Sequence, residues 1–352
     1  MLRMNSTTRK IRVLVVDDSA LARRSISEAL ARDPEIKVVG TARDPYVARD
    51  EILALQPDVI TLDLEMPRMD GLTFLKILQK HHPVPVVVIS ALTPSGSAKA
   101  LEALEAGALD VLAKPVNGWD VAQLAHQLAY HVKAAALSRR KTTAARPTTP
   151  IAPPVPPGEF SSQRVILIGA STGGIEALRF LLPSLPDGLP PILVVQHIPA
   201  NFSRILANHL NDICPFQVRE AVDGEELRTG SCLVAPGDFH LALIRRGQRY
   251  KVKLSQSAPV HHCRPSVDIL FRSAAEQAGD QAVAALLTGM GVDGARGLQL
   301  LRAAGAYTLA ENEESCVVFG MPQAAIKMGA AEKVVSLQRM PQAILQALQS
   351  CC

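Results

Sequence analysis

Short runs of aliphatic and β-branched residues alternate with longer amphipathic stretches along most of this chain. In the first half the apolar runs are Val13–Val16, Val38–Val39, Val59–Leu62, Val84–Ile89 and Leu109–Leu112. They lack the polar-apolar alternation of a half-exposed strand, so they read as strands covered on both faces. The stretches between them keep a helical spacing. The first opens on Ser19, a residue suited to an N-cap, and runs to Leu30. Five strand–helix units in about 125 residues predict a doubly wound parallel sheet. The second half repeats the pattern, with strands expected at 165–168, 192–195, 232–235, 283–287 and 306–309. Residues 240–256 differ: Leu241–Ile244 and Tyr250–Leu254 flank Arg-Arg-Gly-Gln, which predicts a β-hairpin.

The two halves are separated by a change of composition. Six prolines fall within the eleven positions 147–157, preceded by the basic run Ser138–Arg146. Such a segment favours extended polyproline II stretches over a packed core. The expected organisation is a first domain over 10–133, a linker over 134–162 and a second domain over 163–350. A length of 352 residues agrees with two domains. Apolar residues make up 48% and aromatics 4%, so the cores must rest on Val, Ile, Leu and Ala.

Net charge is +4, but its distribution argues against a nucleic-acid surface. Residues 1–133 carry 16 basic and 16 acidic side chains, residues 134–162 carry 4 and 1, and residues 163–352 carry 17 and 16. The excess lies in the linker rather than on either domain. Cys214, Cys232, Cys263, Cys316, Cys351 and Cys352 form no CxxC pair, which suits neither a zinc site nor a disulfide framework. No 18-residue apolar run or signal-peptide core is present. The expectation is a cytoplasmic protein with no direct membrane insertion and no nucleic-acid partner.

Candidate chemistry collects at the strand ends. Asp17 and Asp18 follow the first strand, Asp63 the third, Ser90 the fourth, and Lys114-Pro115 the fifth. In a parallel sheet these ends share one edge. Carboxylates crowded there call for a hard divalent cation such as Mg²⁺. Asp63 could then accept a phosphoryl group, with Ser90 and Lys114 contacting its oxygens. With the run Thr61-Leu62-Asp63-Leu64-Glu65-Met66-Pro67-Arg68-Met69-Asp70-Gly71, these residues make 11–133 resemble a two-component receiver domain. The resemblance implies a flavodoxin-like fold, phosphorylation of Asp63 by a histidine kinase, and Mg²⁺ held by Asp18, Asp63 and the Glu65 backbone carbonyl, with Asp17 beside them. It also marks a departure: Val111 stands where many receivers carry a switch aromatic.

In the second half, Ser171 lies in Gly169-Ala170-Ser171-Thr172-Gly173-Gly174, between a strand and a helix. His197 follows the strand 192–195, and Asp293 follows 283–287 within Thr288-Gly289-Met290-Gly291-Val292-Asp293-Gly294. Three strand ends thus offer a nucleophile, a base and an acid that orients the base. His81, His82, His261 and His262 are rivals by type, but none follows an apolar strand so directly. The glycine loop also invites a phosphate-cradle reading. Against it, Ser171 occupies the middle glycine position of a dinucleotide fingerprint, and the second strand ends in His197 rather than a ribose-binding acid.

Together with Gln196-His197-Ile198-Pro199, Ala235–His240, Cys263–Phe271 and Ser315–Pro322, these motifs make 163–349 resemble the catalytic domain of chemotaxis protein-glutamate methylesterases, which also deamidate glutamines. The resemblance implies a Rossmann-like domain with Ser171 as nucleophile, His197 as base and Asp293 as orienting acid. Thr172 and Met290 join the site, the Met290 N–H as oxyanion donor. No cofactor is expected for the ester chemistry. Methyl-accepting chemotaxis receptors are the implied substrates, the receiver gates the esterase, and the protein is expected to be monomeric. Arg264-Pro265-Ser266 reads as a turn-fixing element.

Overall fold

The computed structural model describes residues 9–90, 93–114, 121–138 and 163–350. The chain divides into two compact units, Met1–Thr143 and Ala144–Cys352, each built on its own parallel sheet. The proline-rich run, Pro115 and the Cys351-Cys352 tail lie outside the described residues.

The first unit alternates five strands and five helices. In chain order these are β1 (Ile11–Val16), α1 (Ala20–Ala31), β2 (Ile36–Ala42), α2 (Pro45–Leu55), β3 (Val59–Asp63), α3 (Gly71–His81), β4 (Val86–Ser90), α4 (Pro94–Glu105), β5 (Asp110–Ala113) and α5 (Val121–Ser138). Helix α5 thus runs five residues past position 133. The sheet order is β2-β1-β3-β4-β5, with every pair parallel. Strand order reverses between β1 and β3, so their C-terminal ends flank a crevice. Strands β3 and β4 are buried throughout, as continuous apolar runs require. Ser19 caps α1, its hydroxyl accepting from the Ala22 N–H, and Asp70 caps α3 by accepting from Thr73 N–H. One core packs α1 and α5 on the same face of the sheet, through Ile26, Leu30, Leu128 and Val132.

The second unit comprises β6 (Val165–Ala170), α6 (Gly174–Leu181), β7 (Ile192–Gln196), α7 (Phe202–Ile213), β8 (Gln217–Glu220), β9 (Ser231–Val234), β10 (His240–Arg246), β11 (Arg249–Ser255), α8 (Val267–Gln277), β12 (Ala282–Leu286), α9 (Ala295–Ala303), β13 (Tyr307–Glu311), α10 (Met321–Lys327), β14 (Lys333–Val335) and α11 (Met340–Ser350). Its seven-stranded sheet has the order β14-β13-β12-β6-β7-β9-β8, again parallel. The reversal falls beside β6, the strand that leads to Ser171. The expected hairpin is present as β10–β11, a separate two-stranded ribbon with Arg246 opposite Arg249. Its inner residues Leu241, Leu243 and Val252 join Val267, Leu270 and Phe271 of α8 in the larger core.

Candidate active site

At the crevice of the first unit, Asp17 and Asp63 are buried and Asp18 is exposed. Carboxylate oxygens of the three lie within 4.8 Å of one another. Lys114 Nζ sits 2.9 Å from Asp17 Oδ2 and 2.7 Å from Asp63 Oδ2. Burial pushes the Asp63 carboxyl up to about 6; Lys114 opposes this and Asp17 adds to it. Burial likewise disfavours charge on Lys114, but the two carboxylates outweigh it and raise its pKa. The cluster therefore holds more negative charge than one ammonium neutralises. Three carboxylates within 4.8 Å of one another, two of them sharing a single ammonium, fit a divalent cation such as Mg²⁺.

The other receiver-type residues take the places their strand ends dictate. Ser90 is buried at the end of β4, its carbonyl accepting from the Lys114 N–H at 2.7 Å. Glu65 is exposed, and its N–H donates to Asp63 Oδ1 at 3.3 Å. A side chain at Gly71 would strike the Asp63 carbonyl, with a Cβ only 2.0 Å away. The start of α3 therefore lies directly against the acceptor strand. Val111 is a buried core residue of β5.

In the second unit, Ser171, His197 and Asp293 converge. Ser171 leaves β6 on a turn fixed by two hydrogen bonds: its N–H donates to the Thr288 carbonyl at 3.0 Å, and its carbonyl accepts from Gly174 N–H at 2.6 Å. Gly173 has φ +78°, and a Cβ there would meet Val317 at 2.5 Å. His197 N–H donates to the Ala170 carbonyl at 3.1 Å, extending the β6–β7 pairing by one step. Its Nδ1 lies 3.1 Å from Ser171 Oγ and its Nε2 lies 2.7 Å from Asp293 Oδ2. A carboxylate only accepts, so Nε2 carries the proton and Nδ1 faces the serine as an acceptor. The roles of the two ring nitrogens are exchanged relative to the chymotrypsin arrangement.

Asp293 is held by the beginning of α8. Oδ1 accepts from Ser266 Oγ at 2.7 Å and Asp268 N–H at 3.1 Å, while Oδ2 also accepts from Val267 N–H at 2.7 Å. Burial disfavours its charge, but His197, Ser266 and the helix amides prevail and hold its pKa below the ordinary value. For His197, burial opposes protonation, whereas Cys263, when ionised, and Asp293 favour it. Cys263 Sγ stands 3.4 Å from Nδ1, the same nitrogen that faces Ser171. Of the rival histidines, His81 and His82 lie at the end of α3 in the other unit, and His261 pairs with Asp268 at 3.1 Å.

Thr172 is buried, and its carbonyl accepts from Thr288 Oγ1 at 3.0 Å. Gly289 backs directly onto Ser171, where an added Cβ would fall 2.6 Å from Ser171 Cβ. Met290 follows at once. Buried Glu311 braces this loop by accepting from the Thr288 N–H at 2.8 Å and from Ser315 Oγ at 2.9 Å. Gln196 Nε2 donates to the carbonyls of Ser171 and His197, at 3.0 and 3.1 Å. Gln196, Ser266 and Cys263 were visible in the sequence only as members of the quoted motifs, and Glu311, just past the expected strand 306–309, lay in none of them. Ser266, expected merely to fix a turn, is a ligand of Asp293.

Known proteins supply the remaining comparison. The CheB methylesterase family matches residues 166–344 and the response regulator receiver domain family matches residues 13–126. Protein-glutamate methylesterase/protein-glutamine glutaminase 2 of Syntrophus aciditrophicus is 48% identical over 341 residues, covering 96% of this chain and 99% of its own length. This chain is a member of the protein-glutamate methylesterase/protein-glutamine glutaminase family. The methylesterase of Pectobacterium atrosepticum that bears the same name is 49% identical over 345 residues, with 97% and 98% coverage. The crystal structure of the Thermotoga maritima CheB methylesterase catalytic domain aligns with TM-score 0.51 and 38% identity. It covers 52% of this chain and 97% of that domain. Among the described residues no helix is long and apolar enough to cross a membrane.

Proposed function

We propose that this protein hydrolyses γ-glutamyl methyl esters on methyl-accepting chemotaxis receptors, and deamidates glutamines there, under control of its own receiver. The observation that carries the reading is the continuous hydrogen-bonded path from Ser171 Oγ through His197 to Asp293. Nδ1 of His197 takes the serine proton as Oγ attacks the ester carbonyl. Asp293 keeps the ring in the Nε2–H tautomer and stabilises the imidazolium that forms. The developing oxyanion is assigned to the Gly289–Met290 backbone, with the Met290 N–H as donor and Thr172 as a neighbour in the site. The imidazolium then returns its proton to the leaving methoxide, or to the amide nitrogen of a glutamine, releasing methanol or ammonia. Water hydrolyses the acyl-enzyme by the same base. No cofactor enters this chemistry.

In the receiver, a histidine kinase donates the phosphoryl group to Asp63, and Ser90 and Lys114 contact its oxygens. Asp17, Asp18, Asp63 and the Glu65 carbonyl would hold Mg²⁺, which would supply the positive charge the cluster lacks. The added charge biases a two-state element of the receiver that otherwise restrains the esterase. With Val111 in place of an aromatic, the signal passes through Ser90 and the backbone. The assigned setting is the cytoplasm and the assigned state a monomer. The test is methanol release from methylated receptor membranes by the full chain, with and without a small phosphodonor. The reading requires release that the phosphodonor increases; unchanged release defeats the gating, and none defeats the esterase. An Asp63→Asn variant still activated by the phosphodonor would remove Asp63 as acceptor.

A further inference from the structure

The mechanism above uses neither the thiol of Cys263 nor the turn that carries it. Residues 260–263 form a tight turn closed by reciprocal hydrogen bonds: Val260 N–H donates to the Cys263 carbonyl at 3.1 Å and Cys263 N–H to the Val260 carbonyl at 2.9 Å. His261 and His262 at its tip have φ of 50° and 63°, the left-handed pair such a two-residue turn needs. The turn fixes Sγ 3.4 Å from His197 Nδ1 and 3.4 Å from the His261 carbonyl. Cys263 is partly exposed, whereas Ser171 is buried. One basic nitrogen, backed by one buried carboxylate, thus serves two nucleophilic atoms, and the sulfur is the more accessible.

We propose that Cys263, with the His197–Asp293 pair, is a modification site for hydroperoxides that switches the esterase off. The thiol proton passes to Nδ1, giving a thiolate beside an imidazolium, and in that state Ser171 has no base. Sulfur then attacks one peroxide oxygen: the S–O bond forms, the O–O bond breaks, and the leaving hydroxide takes the Nδ1 proton to depart as water. Sulfur is oxidised by two electrons to a sulfenic acid and the peroxide is reduced. The new hydroxyl, on a sulfur 3.4 Å from Nδ1, donates to that nitrogen and occupies the lone pair Ser171 needs. A thiol reductant restores the sulfur and the activity.

The molecule provides its own controls. Burial pushes the Cys214 thiol up to about 12 and raises Cys232 further. Three units above the ordinary 9.0 of a thiol leaves Cys214 roughly a thousandth of the thiolate. Cys316 is buried as well. The effect on turnover rests on the esterase reading; the chemistry of the sulfur does not, so the two are separable.

The test exposes the full-length protein to hydrogen peroxide, traps sulfenic acid with a 1,3-diketone, and maps the adduct by peptide mass spectrometry alongside methanol release. The expected result is an adduct on Cys263 forming at least roughly a hundredfold faster than on Cys214 or Cys232. Activity should be lost in step and regained with dithiothreitol. Cys263→Ala should turn over and keep its rate through the same exposure. An adduct elsewhere with Cys263 unmodified, or equal inactivation of C263A, overturns the proposal. Adduct mapping on the unaltered chain decides the matter even if C263A folds poorly.

Discussion

Both sheets end in a cluster of side chains at the edge where strand order reverses, yet the two clusters are electrically opposite. In the first unit, Asp17 and Asp63 share one lysine, and Asp63 is pushed up to about 6. In the second, Asp293 accepts four hydrogen bonds and its pKa is held down. Burial acts on both carboxylates in the same sense; the number of donors decides the outcome. For the proposed receipt of a cation and a phosphoryl group, an acidic cluster with its charge unsatisfied is what the chemistry needs. A site that must hold an imidazole in one orientation satisfies its acid in advance.

The contrast is most sharply broken at the nucleophile. Ser171→Ala should lower methanol release by at least about 10⁴-fold while phosphorylation of Asp63 proceeds normally. Turnover surviving that change would separate the relay from the chemistry. Asp293→Asn, which keeps the shape but removes the charge and one of the two acceptor oxygens, should cost about 10⁴-fold in kcat. A smaller effect, roughly tenfold in kcat/KM, is expected for Ser266→Ala, because one hydrogen bond to a charged group contributes about 1.5 kcal/mol. If S266A matched the unaltered enzyme, the preorganisation of Asp293 would rest on the helix amides alone.

The receiver cluster should respond in stability rather than rate. Folding raises Asp63 from 3.8 to about 6. The folded unit therefore keeps a proton that the unfolded chain has lost, and its stability falls as pH rises between those values. Asp63→Asn should stabilise this unit by about 2 kcal/mol above pH 7, roughly 5 °C in its melting temperature, with the gain fading towards pH 4. Mg²⁺ should produce a smaller rise in the unaltered protein and reduce the advantage of D63N. Thermal melts across pH, with and without Mg²⁺, measure both. A D63N gain independent of pH would show that Asp63 charge is not the cause.

Legibility in the sequence followed burial. Strands β3, β4, β6, β7 and β12 were readable because covering on both faces demands unbroken apolar runs. Strands β8 and β14 are sheet edges, Gln217–Glu220 and Lys333–Val335, partly exposed and too short or polar to stand out. The Ser171, His197 and Asp293 positions were legible because each follows an apolar strand. Contacts made by loops were not. That Ser266 would bind Asp293, or Cys263 approach His197, depends on where α8 packs, and no local pattern encodes that. Nor does spacing say which ring nitrogen faces the serine.

That last detail bears on leverage. With Nε2, the outer nitrogen, pinned to Asp293, the imidazole is anchored at its tip, and the nitrogen facing Ser171 is the one nearest the side-chain pivot. Small rocking of the ring displaces this inner position little. In the proposed mechanism a proton shuttle with so short a stroke would not follow a departing group outward; the departing group would have to come within its reach. That geometry suits a leaving group of one or two heavy atoms, small enough to turn in place beside the ring.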